Sequence, residues 1–229
     1  MQHILDNPIY HALTTGNEPI SNGDGSVRFL DPEIGAFAGL ENNSVDQLLE
    51  LYDLVGDSVP VVLFTPREIG IPDRWKIVLS KPLMQMVWQG GPTCGYDPAV
   101  VPLTGANVPE MLDLTMRTKP GPFLSRTIEF GHYEGIFRDG RLVSMAGQRL
   151  HPSPFAEISA VCTDPAYLGK GFAGILIRNQ ICRMTAAGSI PFLHVLPENA
   201  SARSLYQKLG FRDRAEMMYY VLIRQPVSC

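Results

Sequence analysis

The sequence is poor in charge. Only 18% of its 229 residues are Asp, Glu, Lys or Arg, and 19 basic against 23 acidic side chains leave a formal net charge of -4. The basic residues are scattered, so they form no cationic stripe of the kind that nucleic acid or an anionic membrane requires. No run of about 18 apolar residues occurs, and the start "MQHILDNPIYHALTTG" does not read as a basic leader followed by an apolar stretch. A cytoplasmic protein with neither a nucleic-acid nor a membrane partner is expected. The cysteines, Cys94, Cys162, Cys182 and Cys229, are far apart and make no C-x-x-C pair. That spacing excludes a zinc ligand set or a disulfide framework and leaves free thiols and no metal.

What the chain does have is apolar content, 45% of residues, with 19 prolines and 21 glycines dispersed rather than clustered. This is the profile of a globule with a substantial core, built as one large domain or two small ones. "SVRFL" (26–30), "VPVVLF" (59–64) and "LMQMVWQ" (83–89) read as strands between turn-rich segments. "SVDQLLELYDLV" carries apolar residues at helical spacing behind an N-cap at Ser44. The stretch "GGPTCGYDP" suits a linker, which divides the chain into an α+β lobe at 1–95 and a second unit at 96–229. That second unit reads as a strand in "AVVPLT", a helix in "NVPEMLDLTMR" capped by Asn107, and a hairpin turned at Asp139 and Gly140. The strand "FAEISAVCT", a long helix from Gly171, the strand "PFLHVL", the helix "SARSLYQKL" and a final strand "EMMYYVLIR" follow. No repeat of fixed period is present, although two similar-sized halves leave a distant duplication open.

One stretch, "DPAYLGKGFAGILIRNQ", contains G-x-G-x-x-G, the spelling of a dinucleotide-binding turn. That turn requires the strand to run straight into the first glycine. Here "DPAYL" intervenes between Thr163 and Gly169, and no Walker pattern exists, so neither NAD nor a nucleotide triphosphate is expected. A glycine turn that opens a long helix still presents unpaired N–H groups to an anion; equally, its glycines can serve only to make the turn tight.

The run "FAEISAVCTDPAYLGKGFAGILIRNQ", followed by "FLHVLPENASARSLYQKLGFRDR", resembles the GNAT superfamily of acetyl-CoA-dependent N-acetyltransferases. The family writes its phosphate turn as Arg/Gln-x-x-Gly-x-Gly/Ala; Gly171 and Ala173 match the small positions, while Leu168 stands where Arg or Gln is usual. The resemblance covers about residues 100–224. It implies an α+β fold with a central mixed, mostly antiparallel sheet flanked by helices; the smaller α+β lobe that precedes it carries no motif of its own and is open to reading as a degenerate GNAT-like half. It implies acetyl-CoA as co-substrate, held by main-chain groups of Val161, Cys162 and Thr163 along the pantetheine. The N–H groups of Leu168, Gly169, Lys170, Gly171, Phe172, Ala173 and Gly174 would hold the pyrophosphate. Lys170 would add charge or simply face solvent, and Asn199 would lie near the pantetheine or serve as an N-cap.

The implied reaction is transfer of acetyl to an amine acceptor, small molecule or peptide, by direct attack in a ternary complex, in a monomer or homodimer. It needs a neutral nucleophile, oxyanion stabilisation and a proton for the leaving thiolate. By resemblance Glu157 is the general base, a part-buried carboxylate of raised pKa, unless it faces solvent or pairs with Arg149 or Arg126. Tyr206 matches the phenol that protonates the thiolate, or packs its helix on the sheet, and a backbone N–H near Val161 meets the oxyanion. His132 and Tyr133 are candidates to line an acceptor pocket, His194 reads as a satisfied half-buried histidine, and Trp75 and Trp88 read as core. The alternative is a non-catalytic CoA-binding sensor. Binding to the native state alone raises an unfolding midpoint, so acetyl-CoA and CoA at about 100 times Kd should each add about 2.7 kcal/mol of stability. NAD should add none, as thermal unfolding will report.

Overall fold

In the computed structural model, which describes residues 3–91 and 95–225, the chain forms eleven strands and five α-helices. In order these are α1 (Pro8–Leu13), β1 (Ser21–Asp24), β2 (Val27–Leu30), β3 (Ala38–Leu40), α2 (Val45–Leu54), β4 (Val61–Thr65) and β5 (Trp75–Trp88). Then come β6 (Val101–Pro102), α3 (Val108–Thr118), β7 (Glu134–Arg138), β8 (Arg141–Gln148), β9 (Phe155–Thr163), α4 (Phe172–Ala186), β10 (Ile190–Val195), α5 (Ala200–Lys208) and β11 (Phe211–Arg224). Cys94 and Cys229, with the middle of the expected linker, lie outside the described residues.

Local chemistry explains the boundaries. Ser44 and Gln47 close a capping box on α2. Asp139 (φ 51°) and Gly140 (φ 73°) are both left-handed, as a two-residue turn matched to strand twist demands, and β7 pairs with β8 across them. Asn107 is the N-cap residue of α3, but its side chain bonds Thr104 and Glu110 instead of the helix N–H groups.

Eight strands form one sheet in the order β4-β11-β5-β10-β9-β8-β7-β6, and β1-β2-β3 make a small second sheet. This corrects the partition drawn at residue 95. β4 and β5, from the first half of the sequence, are built into the main sheet through antiparallel pairing with β11, and β5 also borders β10. The strands on either side of the composition break near residue 90 share a sheet.

The sheet is nearly all antiparallel, with one parallel contact, β9 against β10, limited to Ile190↔Phe155, Pro191↔Ala156 and Phe192↔Glu157. Beyond Glu157 the two strands part. β10 borders β5 only over Met84–Val87, so the first half of β5 has β11 on one side and no strand on the other. Pro82, which cannot donate a ladder hydrogen bond, stands in that half.

The N-terminal segment is pinned across the β8–β9 connection by buried Asn17, whose amide bonds Arg149 O (3.1 Å) and whose Oδ1 accepts from His151 N (2.7 Å). Burial, then neighbouring His132, pushes the His151 imidazole down to about 4 despite the carboxylate of Glu157, and its buried Nε2 has no partner. An unfolded histidine binds its proton near pH 6.5 and this folded one does not, so the unfolded state gains protons first as pH falls. Stability should therefore decline from about pH 6.5 toward 4 by about 1–3 kcal/mol from this group. Unfolding midpoints across that range will show it, and His151→Gln should flatten the decline.

Candidate active site

A cleft of about 670 Å³ opens where β9 and β10 separate. One wall is β9 from Ile158 to Thr163, the opposite wall is His194, Val195 and Leu196 at the end of β10 with Asn199 and Tyr206 of the α5 region. The floor and far end come from Phe37, Val62, Phe64, Leu79, Lys81 and Leu83, with Tyr219 of β11. The loop after α3, from Thr118 to Leu124, also borders it.

β9 is bulged within this wall. Met145 faces Cys162 and Gly147 faces Ser159, so β9 spends one more residue than β8 over the interval, and Ala160 there adopts φ 52°. A left-handed alanine costs about 1–2 kcal/mol. The bulge turns main-chain groups of β9 away from the ladder and toward the open side.

At the end of β9 the short turn Pro165–Tyr167 leads to Gly169 (φ 75°) and Gly171 (φ 80°), both left-handed and both with open space where a Cβ would stand. Glycine is needed there for backbone conformation and not for room. Gly171 is the N-cap of α4, and no side chain caps that end, so the first N–H groups of a 15-residue helix stay available to an anion. Leu168 is 65% exposed beside the turn. Lys170 Nζ lies 4.5 Å over the Tyr167 ring, close to the turn.

Of the other residues singled out in the sequence, Asn199 lines the cleft and caps α5 through Ala202 N (3.1 Å) at the same time. Tyr206 faces the cleft, and burial pushes its phenol up to about 12, so it is a proton donor at neutral pH. Cys162 is buried and its thiol is pushed up to about 11 by burial, which makes it an unreactive wall residue. Tyr133 lines the cleft, with burial raising its phenol well above the usual range, whereas His132 lies outside it beside His151. Trp75 and Trp88 donate to Leu48 O (2.9 Å) and Leu209 O (3.0 Å), as packed tryptophans do.

Glu157 departs from expectation. It is fully buried, and its carboxylate accepts from Arg149 Nε (2.9 Å), Arg149 Nη2 (2.6 Å) and His194 Nδ1 (2.7 Å). Burial alone would raise its pKa, but the charge of Arg149 and the hydrogen bonds of His194 and Arg149 outweigh that and hold it at about 2. The pairing with Arg149 is made; the raised pKa is not.

His194 is likewise more constrained than a half-buried strand histidine, with its side chain 1% exposed. Gln85 fixes its proton. Arg214 Nη1 can only donate, so the Gln85 oxygen it meets at 2.9 Å is an acceptor and the Gln85 nitrogen is a donor to both Leu5 O (3.0 Å) and His194 Nε2 (3.0 Å). Nε2 of His194 is then an acceptor, and Nδ1 carries the hydrogen given to Glu157. Arg214 ends the chain on Asp6 (2.5 Å).

Sequence reasoning missed the aromatic end of the cleft. Phe64 lies 5.7 Å from Phe37, 5.6 Å from Tyr219 and 4.8 Å from His194, ring centre to ring centre. The Arg149 guanidinium sits over Phe37 (4.8 Å) and Phe64 (5.7 Å). These residues come from five separate strands and loops, and no local motif joins them.

Comparison with known proteins agrees with this architecture. Residues 133–221 match the family model described as FR47-like protein. A segment of 91 residues, 37% of the chain, is 34% identical to mycothiol acetyltransferase of Thermomonospora curvata, covering 30% of that protein. A segment of 84 residues, 35% of the chain, is 37% identical to the N-alpha-acetyltransferase RimI of Mycobacterium tuberculosis, covering 52% of it. The chain thus spans about half or less of the curated relatives it matches. Across its length it is similar to a crystal structure from the GNAT family of Novosphingobium aromaticivorans, with 37% identity, 98% of this chain and 100% of that one covered, and a TM-score of 0.91. Likeness at that identity over both whole chains shows the family, and the protein belongs to the GNAT family of acetyltransferases.

Proposed function

We propose that the protein transfers acetyl from acetyl-CoA to an amine by direct attack in a ternary complex. The observation that carries this reading is the coincidence of an unpaired, bulged strand edge with an uncapped glycine turn at the same strand's end. The edge of β9 at Val161, Cys162 and Thr163 can accept the pantetheine arm as an added strand. The N–H groups from Gly169 to Gly174 suit its pyrophosphate.

In this reading the amine lone pair attacks the thioester carbon, a main-chain N–H near Val161 receives the oxyanion, and the carbon–sulfur bond breaks. Tyr206 gives its proton to the departing thiolate, and the ammonium formed from the amine releases its own proton to water. Glu157 is a poor acceptor for that proton, because a carboxylate at about 2 that is saturated by two partners has little basicity to offer near pH 7. We assign it instead the placement of Arg149 and His194. No helix of the described residues is long and apolar enough to cross a membrane, which suits an acceptor met in water.

Tyr206→Phe should lower kcat by about 10²-fold while the acetyl-CoA-induced rise in unfolding midpoint persists, both read in a thiol-release assay and a melt. If the wild type binds CoA yet releases no thiol with any amine, the sensor reading takes over. Glu157→Gln should cost about 3–5 kcal/mol of stability, since it strands a buried arginine. Urea unfolding will measure that loss, and a stable variant that has only lost activity at low pH would restore Glu157 as the base.

A further inference from the structure

The charged side chains that line the cleft are all basic, two of them paired from outside the lining: Lys81 with Glu198 (3.7 Å) and Arg149 with Glu157 (2.6 Å). Formal net charge is -4, yet among the described residues that line the cleft none is acidic, while Lys81, Lys119 and Arg149 are basic. A polyamine, an aminoglycoside or a lysine-rich peptide needs carboxylates around its cations, and this cleft offers none.

Arg149 is the informative group. Glu157 occupies its Nε and Nη2; among the described residues Nη1 has no hydrogen-bond acceptor, and 24% of the side chain is exposed where it lines the cleft. A guanidinium held from behind by a bidentate carboxylate and stacked on Phe37 and Phe64 cannot swing away. The two N–H bonds of Nη1 form a fixed anion-recognition point within an apolar surround of Phe37, Phe64, Leu79, Leu83 and Tyr219.

The spacing is short. Arg149 N donates to Glu157 O, and Glu157 is three residues before the bulged Ala160, a separation of about 10 Å along the strand. Arg149 and the bulged Ala160 line the same cleft, so one small molecule that carries amine and carboxylate together can meet both.

We infer that the acceptor is an amino acid with an apolar or aromatic side chain, whose carboxylate is bound by Arg149 while its amine faces the bulge of β9. This rests on the acetyl-transfer reading above and adds to it the acceptor class and the residue that selects it. The bonds that change are those of that reaction: the α-nitrogen gains the acetyl carbon, the carbon–sulfur bond is lost, and the carboxylate stays ionised throughout.

The test compares acceptors on the unmodified protein. With acetyl-CoA saturating, thiol release is measured for phenylalanine, phenylalanine amide and phenethylamine, which share the aromatic ring and the amine and differ in the carboxylate. Phenylalanine should exceed the other two at least tenfold in kcat/KM, and 3-phenylpropionate, which keeps the carboxylate and lacks the amine, should compete with it. Leucine and methionine should be accepted, glutamate and lysine poorly. Arg149→Lys should raise KM for phenylalanine far more than for phenethylamine, a change of ratio that partial unfolding would not produce. Equal or better use of the carboxylate-free amines, or no competition by 3-phenylpropionate, overturns the inference. If other amines release thiol and no amino acid does, the acceptor class is wrong and acetyl transfer stands; if acetyl-CoA binds and no amine of any kind releases thiol, or acetyl-CoA does not bind, both fall.

Discussion

Glu157 stands at the last register position where β9 and β10 still pair, opposite Phe192, and its carboxylate reaches across to His194 on β10 and back to Arg149 after β8. Everything that makes a cleft of this sheet follows from that one buried anion. Two parallel strands that separate expose a row of main-chain groups on each, which is costly unless the point of divergence is held and the exposed edge has a use. The ion cluster holds the point of divergence. Its own burial is tolerable because both carboxylate oxygens meet donors, through three hydrogen bonds from Arg149 and His194, the condition under which a buried charge is stable.

The cluster also transmits the position of the N-terminal segment into the cleft. Asp6, Arg214, Gln85, His194, Glu157 and Arg149 form a continuous chain of hydrogen bonds, and each link fixes the donor or acceptor role of the next. Asn17 closes the circuit by bonding the carbonyl of Arg149 itself. The first 20 residues therefore set the orientation of a guanidinium that is more than 100 positions away in sequence. A network of this kind has one satisfied arrangement, and that uniqueness is its contribution to a defined site.

Much of the fold was legible beforehand because it is written in local signals. The capping box at Ser44, the Asp139–Gly140 turn, the glycines before α4 and the β-branched and apolar content of β9 each act within a few residues. The α+β class and the family followed from them. The placement of β4 and β5 was not legible, since strand pairing over more than 120 residues is decided by how the sheet closes and leaves no periodic trace. The composition break near residue 90 was read as a domain boundary for that reason. At the site, Tyr206 and the glycine turn were found by motif, whereas the state of Glu157 depended on partners at 149 and 194 whose distance from it is a tertiary fact. Burial alone argues for a raised pKa; burial beside a guanidinium argues for the reverse, and the sequence does not say which holds.

The contribution of the first half of the chain is clearest in the division of the cleft. The β9 edge, the glycine turn and Tyr206, which suit a thioester cofactor, all come from residues after 155. The aromatic floor, apart from Tyr219, comes from Phe37, Val62, Phe64, Leu79 and Leu83, all before residue 90. Inserting β5 between β10 and β11 brings these side chains against the diverging strands, and because β5 outruns β10, its leading half presents Leu79, Lys81 and Leu83 to the cleft with no strand in the way. The family-matched segment, 133–221, thus holds the β9 edge, the glycine turn and Tyr206, and most of the apolar floor of the cleft lies outside it. Arg149 is where the two halves meet: it belongs to the family-matched segment, stacks on two phenylalanines of the other, and offers its free nitrogen to whatever both enclose.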